Sequence, residues 1–170
     1  DAYCETRYIF QARLERMTKH LLDSGVPEEK AYLISAIAGE IGSNSFDHNA
    51  GNWPSVPGVW FSYEVTDKRK ALVALADKGR GVLQTLTRVL PDLEGDGEAL
   101  KAAFTKKISG RAPENRGNGL KFVRASVSDT GMNLRFFSGN AQAILNGGMD
   151  ISRNDRESIP GCLALLESEE

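Results

Sequence analysis

Apolar residues recur at spacings of three and four over the first fifty positions, which is the period of amphipathic helices. The first such pattern predicts a helix over residues 8–23, and Gly25 follows its end. A second helix is predicted to begin near Pro27, where a first helical turn tolerates proline, and to run to about Asn49. Two long helices therefore precede the first predicted strand.

The rest of the chain combines shorter helical and strand patterns. Apolar runs at 59–65 and 71–76 bracket a charged turn and predict a β-hairpin. The second run is apolar on both faces, as expected for a central strand. Further predicted helices cover 82–90, 96–107 and about 119–129, and further predicted strands lie near 133–138, 142–146 and 161–167. The polar stretch 109–118 predicts a loop.

This grouping of helices and strands, with a hairpin and a closing meander, favours one fold class. We predict an α/β (α+β) two-layer sandwich in which a mixed sheet carries helices on one face. At 170 residues the chain fits one compact domain. We interpret residues 1–27 as an N-terminal helix and linker, and residues 28–170 as the domain proper.

Composition excludes several functional classes. The net charge of −2 provides no general attraction to nucleic acid or to an anionic membrane surface, so neither is predicted as a partner. No apolar run approaches the roughly 20 residues that span a bilayer. Cys4 and Cys162 are too few for a disulfide framework and lack metal-ligand spacing, so a reducing cytoplasm is the expected location.

The first candidate motif lies on the second predicted helix. Glu40, Asn44 and His48 are spaced by four, so they form a line along one helix face. A carboxylate beside a carboxamide can orient a water molecule and coordinate Mg²⁺, which prefers oxygen ligands. A solvated polar face explains the same spacing about as well. For His48, the helix dipole alone favours a histidine in a last turn.

The second candidate motif, Asp77-x-Gly79-x-Gly81, ends the apolar strand of the hairpin. Asp77 follows six apolar residues, so its carboxylate is expected at the end of a buried strand, where it needs a partner. Gly79 and Gly81 allow the backbone to pass close to another group and to adopt unusual dihedral angles. A turn that only terminates the strand is the alternative.

The third candidate motif is a glycine-rich turn at 116–120, where a helix is predicted to begin. Free backbone amides at a helix start can bind phosphate with the help of the helix dipole. The preceding loop is basic although the protein is acidic, which phosphate binding would explain and which solvation alone would also allow. This is not a P-loop, because GxxxxGK[ST] is absent. The candidate phosphate-binding residues are Arg111, Arg116, Gly117, Asn118, Gly119 and Leu120.

In this order, E-x-x-x-N, D-x-G-x-G and G-x-G resemble the GHKL superfamily of ATP-binding domains. That superfamily includes sensor histidine kinases, anti-sigma-factor serine kinases, gyrase-type topoisomerases, mismatch-repair ATPases and a heat-shock chaperone. The resemblance spans residues 28–167 and implies that 28–170 is a GHKL domain with a Bergerat-type ATP-binding fold. The chain departs from the family pattern at Gly161-Cys162, where the family often has Gly-Thr.

The resemblance also implies roles for individual residues. Glu40 would act as the base, Asn44 would hold Mg²⁺, and Asp77 would accept the exocyclic amine of adenine. Asp47 and His48 would belong to the same nucleotide site. ATP and Mg²⁺ are therefore the implied cofactors.

By resemblance, the function would be signalling: transfer of the γ-phosphate to a protein phospho-acceptor or regulatory partner in trans, as in histidine-kinase catalytic domains. An anti-sigma-type serine kinase is an alternative, and so is a nucleotide-gated partner-binding module or ATPase without productive transfer. His20 lacks the sequence context of a phospho-acceptor. Leu14, Met17 and Leu21 could form a homodimer surface, although core packing explains them too.

Overall fold

The computed structural model describes residues 2–66, 69–107, 118–154 and 157–168, which form helices and strands over most of their length. The helices are α1 (Arg7–Asp23), α2 (Glu28–Asn49), α3 (Gly81–Leu86), α4 (Asp96–Thr105) and α5 (Gly119–Thr130). The strands are β1 (Tyr3–Cys4), β2 (Val59–Val65), β3 (Ala71–Asp77), β4 (Asn133–Gly139), β5 (Ala141–Leu145), β6 (Met149–Arg153) and β7 (Ile159–Glu167).

The strands form one sheet in the order β1-β2-β3-β7-β4-β5-β6. Each strand runs antiparallel to its neighbours, so the predicted mixed sheet is wrong. The reason is topological. The connection through α3, α4 and α5 does leave β3 and β4 parallel to each other, but β7 inserts between them and pairs antiparallel with both.

Burial alternates along the strands, because one face of the sheet packs against helices. Phe10 of α1 contacts Phe61 with ring centroids 5.3 Å apart, and Phe104 of α4 contacts Phe136 at 5.5 Å. On this face the strand register aligns side chains in rows across the sheet. Two rows, which we call the apolar rows, consist of Phe61, Leu75, Ala164, Phe136 and Ala143, and of Tyr63, Val73, Leu166, Leu134 and Leu145. This arrangement agrees with the predicted α+β sandwich.

The two long predicted helices are confirmed as α1 and α2. Thr6 caps α1, since its hydroxyl accepts a hydrogen bond from the Ile9 N–H at 3.3 Å. The buried stripe of α1 belongs to the same hydrophobic core as α2 and the sheet. That stripe consists of Phe10, Leu14, Met17 and Leu21.

Differences from the predicted elements lie at short or irregular segments. Helix α3 ends at Leu86 rather than near residue 90, and turns follow before Pro91, which disfavours helical dihedrals in the residue ahead of it. The sequence patterns also missed β1 and β6. The first has two residues, and the second follows two glycines at an edge of the sheet. No helix in the described ranges is long and apolar enough to cross a membrane.

Candidate functional site

The C-terminal half of α2 presents polar side chains on two adjacent lines. The first is the predicted line of Glu40, Asn44 and His48. The second consists of Ser45 and Asn49, which are also one helical turn apart. Successive residues of a helix are rotated by about 100°, so the two lines point to different neighbours. Sequence analysis identified the first line and missed the second.

Two residues of the first line, Glu40 and Asn44, face the start of α5. A Cβ atom at position 119 would lie 2.4 Å from Oε2 of Glu40 and 3.8 Å from Nδ2 of Asn44. Gly119 therefore allows α2 and α5 to approach at this point, and the first and third predicted motifs meet there. The exposed carboxylate of Glu40 lies at the positive end of the α5 dipole. Within the described residues, the side chain of Asn118 caps none of the α5 amides.

The second line faces the end of β3. The Ser45 hydroxyl donates a 2.6 Å hydrogen bond to Oδ2 of Asp77. Asn49 accepts one from the Arg80 N–H at 2.9 Å, and its own amide donates to the Ser45 carbonyl at 2.8 Å. A Cβ atom at position 79 would come within 2.2 Å of Nδ2 of Asn49, so Gly79 is required for this close approach. The second motif is thereby also joined to α2.

Asp77 is a buried carboxylate with 6% exposure. Besides Ser45, the Gly79 N–H donates to its Oδ1 at 2.7 Å. Burial raises the pKa of Asp77 above its ordinary value, and the hydrogen bonds from Ser45 and Gly79, together with the neighbouring Cys162 backbone, partly oppose that shift. Asp77 is therefore a buried acid that accepts hydrogen bonds from α2 and from the turn after β3.

Asp77 belongs to a third row across the helix-covered face of the sheet, which we call the polar row. Its members are Val59, Asp77, Cys162, Ser138 and Ala141. The Ser138 hydroxyl accepts from the Val82 N–H at 2.9 Å and donates to the Gly161 carbonyl at 3.1 Å. Burial, and then the charge of Asp77, raise the pKa of the Cys162 thiol far above its ordinary value. The Cys162 thiol is therefore held in its protonated form near neutral pH.

The other predicted site residues are distributed around these contacts. Asp47 forms an ion pair with Arg7, which links α2 to α1. Gly81 has a positive φ of 74° at the start of α3, and Leu120 packs against the core. The predicted contacts of Arg111, Arg116 and Gly117, with most of the predicted loop, lie outside the described residues.

Arg80 lies within the second motif and adds a donor that sequence analysis did not identify. Its Nη1 atom is buried and has no hydrogen-bond partner within the described ranges. A guanidinium is always charged and only donates, so a bound group with an acceptor atom would satisfy it. Among all the residues that the structure describes, no group of three or more His, Cys, Asp or Glu side chains could hold a metal ion.

No protein-family model matches this chain, and a search of curated proteins returned no match. Any indication of function therefore comes from how the candidate residues are arranged. Three polar signatures that are far apart in sequence meet at the C-terminal half of α2. Glu40 and Asn44 lie against Gly119, and Ser45 is bonded to Asp77.

Proposed function

We propose that this domain binds Mg-ATP where the C-terminal half of α2, the end of β3 and the start of α5 meet, and transfers the γ-phosphate to a protein partner in trans. The supporting observation is the convergence of the three signatures on one helix. That convergence and the sandwich architecture are what a GHKL domain with a Bergerat-type fold requires. A chance set of solvated polar residues has no reason to pack together.

The proposed site has a base end and a phosphate end. At the base end, the ionised carboxylate of Asp77 accepts a hydrogen bond from the exocyclic amine of adenine. At the phosphate end, the backbone amides that begin α5 at Gly119 attract negative charge. Glu40 lies five residues before Ser45, or about 7.5 Å along α2, so the helix separates the two ends.

The residues at the phosphate end suit a magnesium ion that arrives with the nucleotide. Mg²⁺ keeps several water ligands and takes others from substrate phosphates, so it does not need a cluster of protein carboxylates. The side-chain oxygen of Asn44 would be its protein ligand. When bound, the ion supplies positive charge that neutralises the phosphates.

Glu40 fits the role of general base in this proposal. Its carboxylate is exposed and lies beside Gly119, at the phosphate end of the site. A carboxylate there can orient the attacking group of a partner and accept its proton. Because this action belongs to the transfer step, Glu40 contributes little to the binding of ATP itself.

The phospho-acceptor is proposed to come from another molecule, because His20 lies away from the phosphate end of the site. Its ring packs against Tyr63, at 5.9 Å between centroids. Leu14 is the α1 residue that lies against Gly39, the neighbour of Glu40, and His20 is six residues further along α1. Six helical residues correspond to about 9 Å. Phosphoryl transfer depends on proximity, so His20 is a poor acceptor in this chain.

Calorimetry with Mg-ATP tests the base end of the site. Asp77→Ala should lower the affinity roughly 5- to 150-fold, because the ligand amine loses its buried acceptor. Asp150→Ala is the matched control, since Asp150 is an exposed aspartate on β6. Equal affinity in the wild type and Asp77→Ala would remove Asp77 from the site, and a wild type that binds no nucleotide would refute the proposal.

Labelled ATP tests transfer in trans. The domain alone should acquire almost no label, whereas an added partner should become labelled. Acid treatment then separates the acceptor classes, because acid strips phosphohistidine and spares phosphoserine. Acid-labile label on the domain that disappears in His20→Ala would contradict transfer in trans.

A further inference from the structure

The face of the sheet away from the apolar rows carries a continuous group of apolar side chains of its own. Among the described residues, none of this group belongs to the hydrophobic core or packs against it. We call the group the outer patch, and it consists of Trp60, Ala74, Ala76, Phe137, Leu163 and Leu165. Polar residues such as Ser62 and Gln142 border it. An apolar patch with a polar border is typical of an interaction surface.

One row of the outer patch fits a second copy of itself. Its members are Trp60, Ala76, Leu163 and Phe137, on β2, β3, β7 and β4. A two-fold axis that runs parallel to the strands between β3 and β7 keeps each row level and reverses its order. Ala76 of one copy then lies opposite Leu163 of the other, and Trp60 opposite Phe137. Small side chains thus face large ones, as interdigitated packing requires, and two aromatic rings meet.

The next row adds charge complementarity to this fit. It consists of Ser62, Ala74, Leu165 and Arg135. The same axis places Ala74 opposite Leu165, and Arg135 opposite Ser62 of the second copy. Glu64 lies two residues beyond Ser62 on the same face, or about 7 Å along β2, which is within reach of an arginine side chain. Because the axis is two-fold, the contact between Arg135 and Glu64 forms twice.

Glu64 and Arg135 are both exposed, and neither forms an ion pair with another described residue. The neighbouring carboxylate on this face, that of Glu167, is already paired with Lys70. The outer face therefore carries an unpaired cation on one side of its apolar patch and an unpaired acid on the other. Opposite charges at positions that one symmetry axis brings together fix the register of an interface.

We propose that this domain forms a symmetric dimer through the outer face of its sheet, in which the outer patches of two copies pack together and Arg135 of each copy contacts Glu64 of the other. The polar row lies on the opposite face of the same strands, so dimerisation leaves the candidate nucleotide site uncovered in both copies. The dimer goes beyond the proposed function and does not rest on it.

The outer face is large enough for a specific dimer. Strands lie about 4.8 Å apart and rise about 3.4 Å per residue, so β2, β3, β7, β4 and β5 together present roughly 500 Å² in projection. Two copies would bury roughly 1,000 Å², which is about the least area that a specific interface needs. Interfaces of this size are usually transient, so the dimer exchanges with the monomer.

Sedimentation velocity of the full chain over a range of micromolar concentrations tests the dimer. The wild type should shift from monomer to dimer as its concentration rises. Leu165→Lys should abolish the dimer, and Arg135→Glu should weaken it on the order of tenfold, because each substitution acts twice in a two-fold dimer. Arg16→Glu is the matched control, since it makes the same charge change at an exposed position of α1 and should leave the dimer unchanged.

An exchange of charges tests the arrangement directly. Glu64→Arg should weaken the dimer as Arg135→Glu does, and the double variant should recover most of the lost affinity, because the pair forms again with its signs exchanged. Both residues are exposed, so these variants should keep the wild-type circular dichroism spectrum and the wild-type affinity for Mg-ATP.

Three results would overturn the proposal. The first is a wild type that stays monomeric at every concentration, which leaves the outer face to a different protein. The second is a dimer that forms equally well in Leu165→Lys, which places the interface elsewhere. The third is a double variant that dimerises no better than the single charge variants. Each of these results leaves the proposed function standing, because nucleotide binding is measured separately.

Discussion

The apolar rows and the polar row lie on the same face of the same strands, two residues apart, yet their side chains differ in kind. Phe136 and Ser138 of β4 illustrate this. Phe136 packs edge-on against the ring of Phe104. The Ser138 hydroxyl bridges the Val82 N–H and the Gly161 carbonyl. The apolar rows fill the core, whereas the polar row provides partners for buried hydrogen-bonding groups.

The difference shows where stability and function separate in this fold. Apolar side chains at every inward position would pack the sheet against its helices by the hydrophobic effect alone. A buried aspartate such as Asp77 instead carries a desolvation penalty, visible in its raised pKa. Perturbed acids of this kind cluster at functional sites. Only the polar row therefore calls for an explanation beyond folding.

Phe136→Ala should have the largest effect on stability. Phe136 is 4% exposed, so truncation removes buried apolar surface and leaves a cavity beside Phe104. The free energy of unfolding should fall by about 3–5 kcal/mol. Urea unfolding followed by circular dichroism measures this. A loss below about 1 kcal/mol would mean that this part of the apolar row does not carry the fold.

Ser138→Ala should destabilise the domain less, by about 1–3 kcal/mol. The mechanism differs, because the substitution leaves the Val82 N–H without its acceptor rather than creating a large cavity. Ser62→Ala on the exposed face of β2 is the control and should change stability by less than about 0.5 kcal/mol. If Ser138→Ala matches this control, the hydrogen bonds of the polar row contribute no net stability.

Asp77→Asn should remove a pH dependence of stability. The pKa of Asp77 is raised in the folded state, so the folded protein takes up this proton more readily than the unfolded chain. The stability that this proton contributes is complete below the pKa of the unfolded chain and is lost as pH rises through the raised pKa of the folded state. Relative to Asp77→Asn, the wild type should therefore gain stability as the pH falls from about 7 to about 4. A pH-independent difference in unfolding free energy would contradict this.

Glu40→Gln should have the smallest effect on stability, within about 0.5 kcal/mol, because Glu40 is exposed. Affinity for Mg-ATP should also stay close to the wild-type value. Phosphate transfer or hydrolysis, in contrast, should slow by roughly 10²- to 10⁴-fold, the usual contribution of a general base. If Glu40→Gln transfers phosphate or hydrolyses ATP as fast as the wild type, Glu40 is only a surface residue of α2.

Sequence patterns located most of this fold because its main elements are long and strongly periodic. The spacing of Phe10, Leu14, Met17 and Leu21 was sufficient to predict α1. The insertion of β7 between β3 and β4 could not be predicted, since it depends on pairing between residues about 90 positions apart. Pairing at such a distance leaves no local periodicity.

The candidate site was predictable to the same limited extent. Glu40, Asn44 and Asp77 belong to short motifs, and the helical period correctly placed the first two on one face. Ser45 and Asn49 belong to no motif, and their roles depend on what lies opposite them in space. Their spacing of four, one position out of step with the first line, was the only signal in the sequence.

The position of β7 also has a consequence for synthesis. It follows all the other strands in the chain, yet it lies between β3 and β4 in the middle of the sheet. During synthesis on the ribosome, the edges of β3 and β4 that face β7 would stay unpaired until residues 159–167 emerge. The polar row would also lack Cys162, the register partner of Asp77, until then. A nascent chain could therefore not assemble the candidate site early, and under the proposed function nucleotide binding would begin only when the sheet is complete.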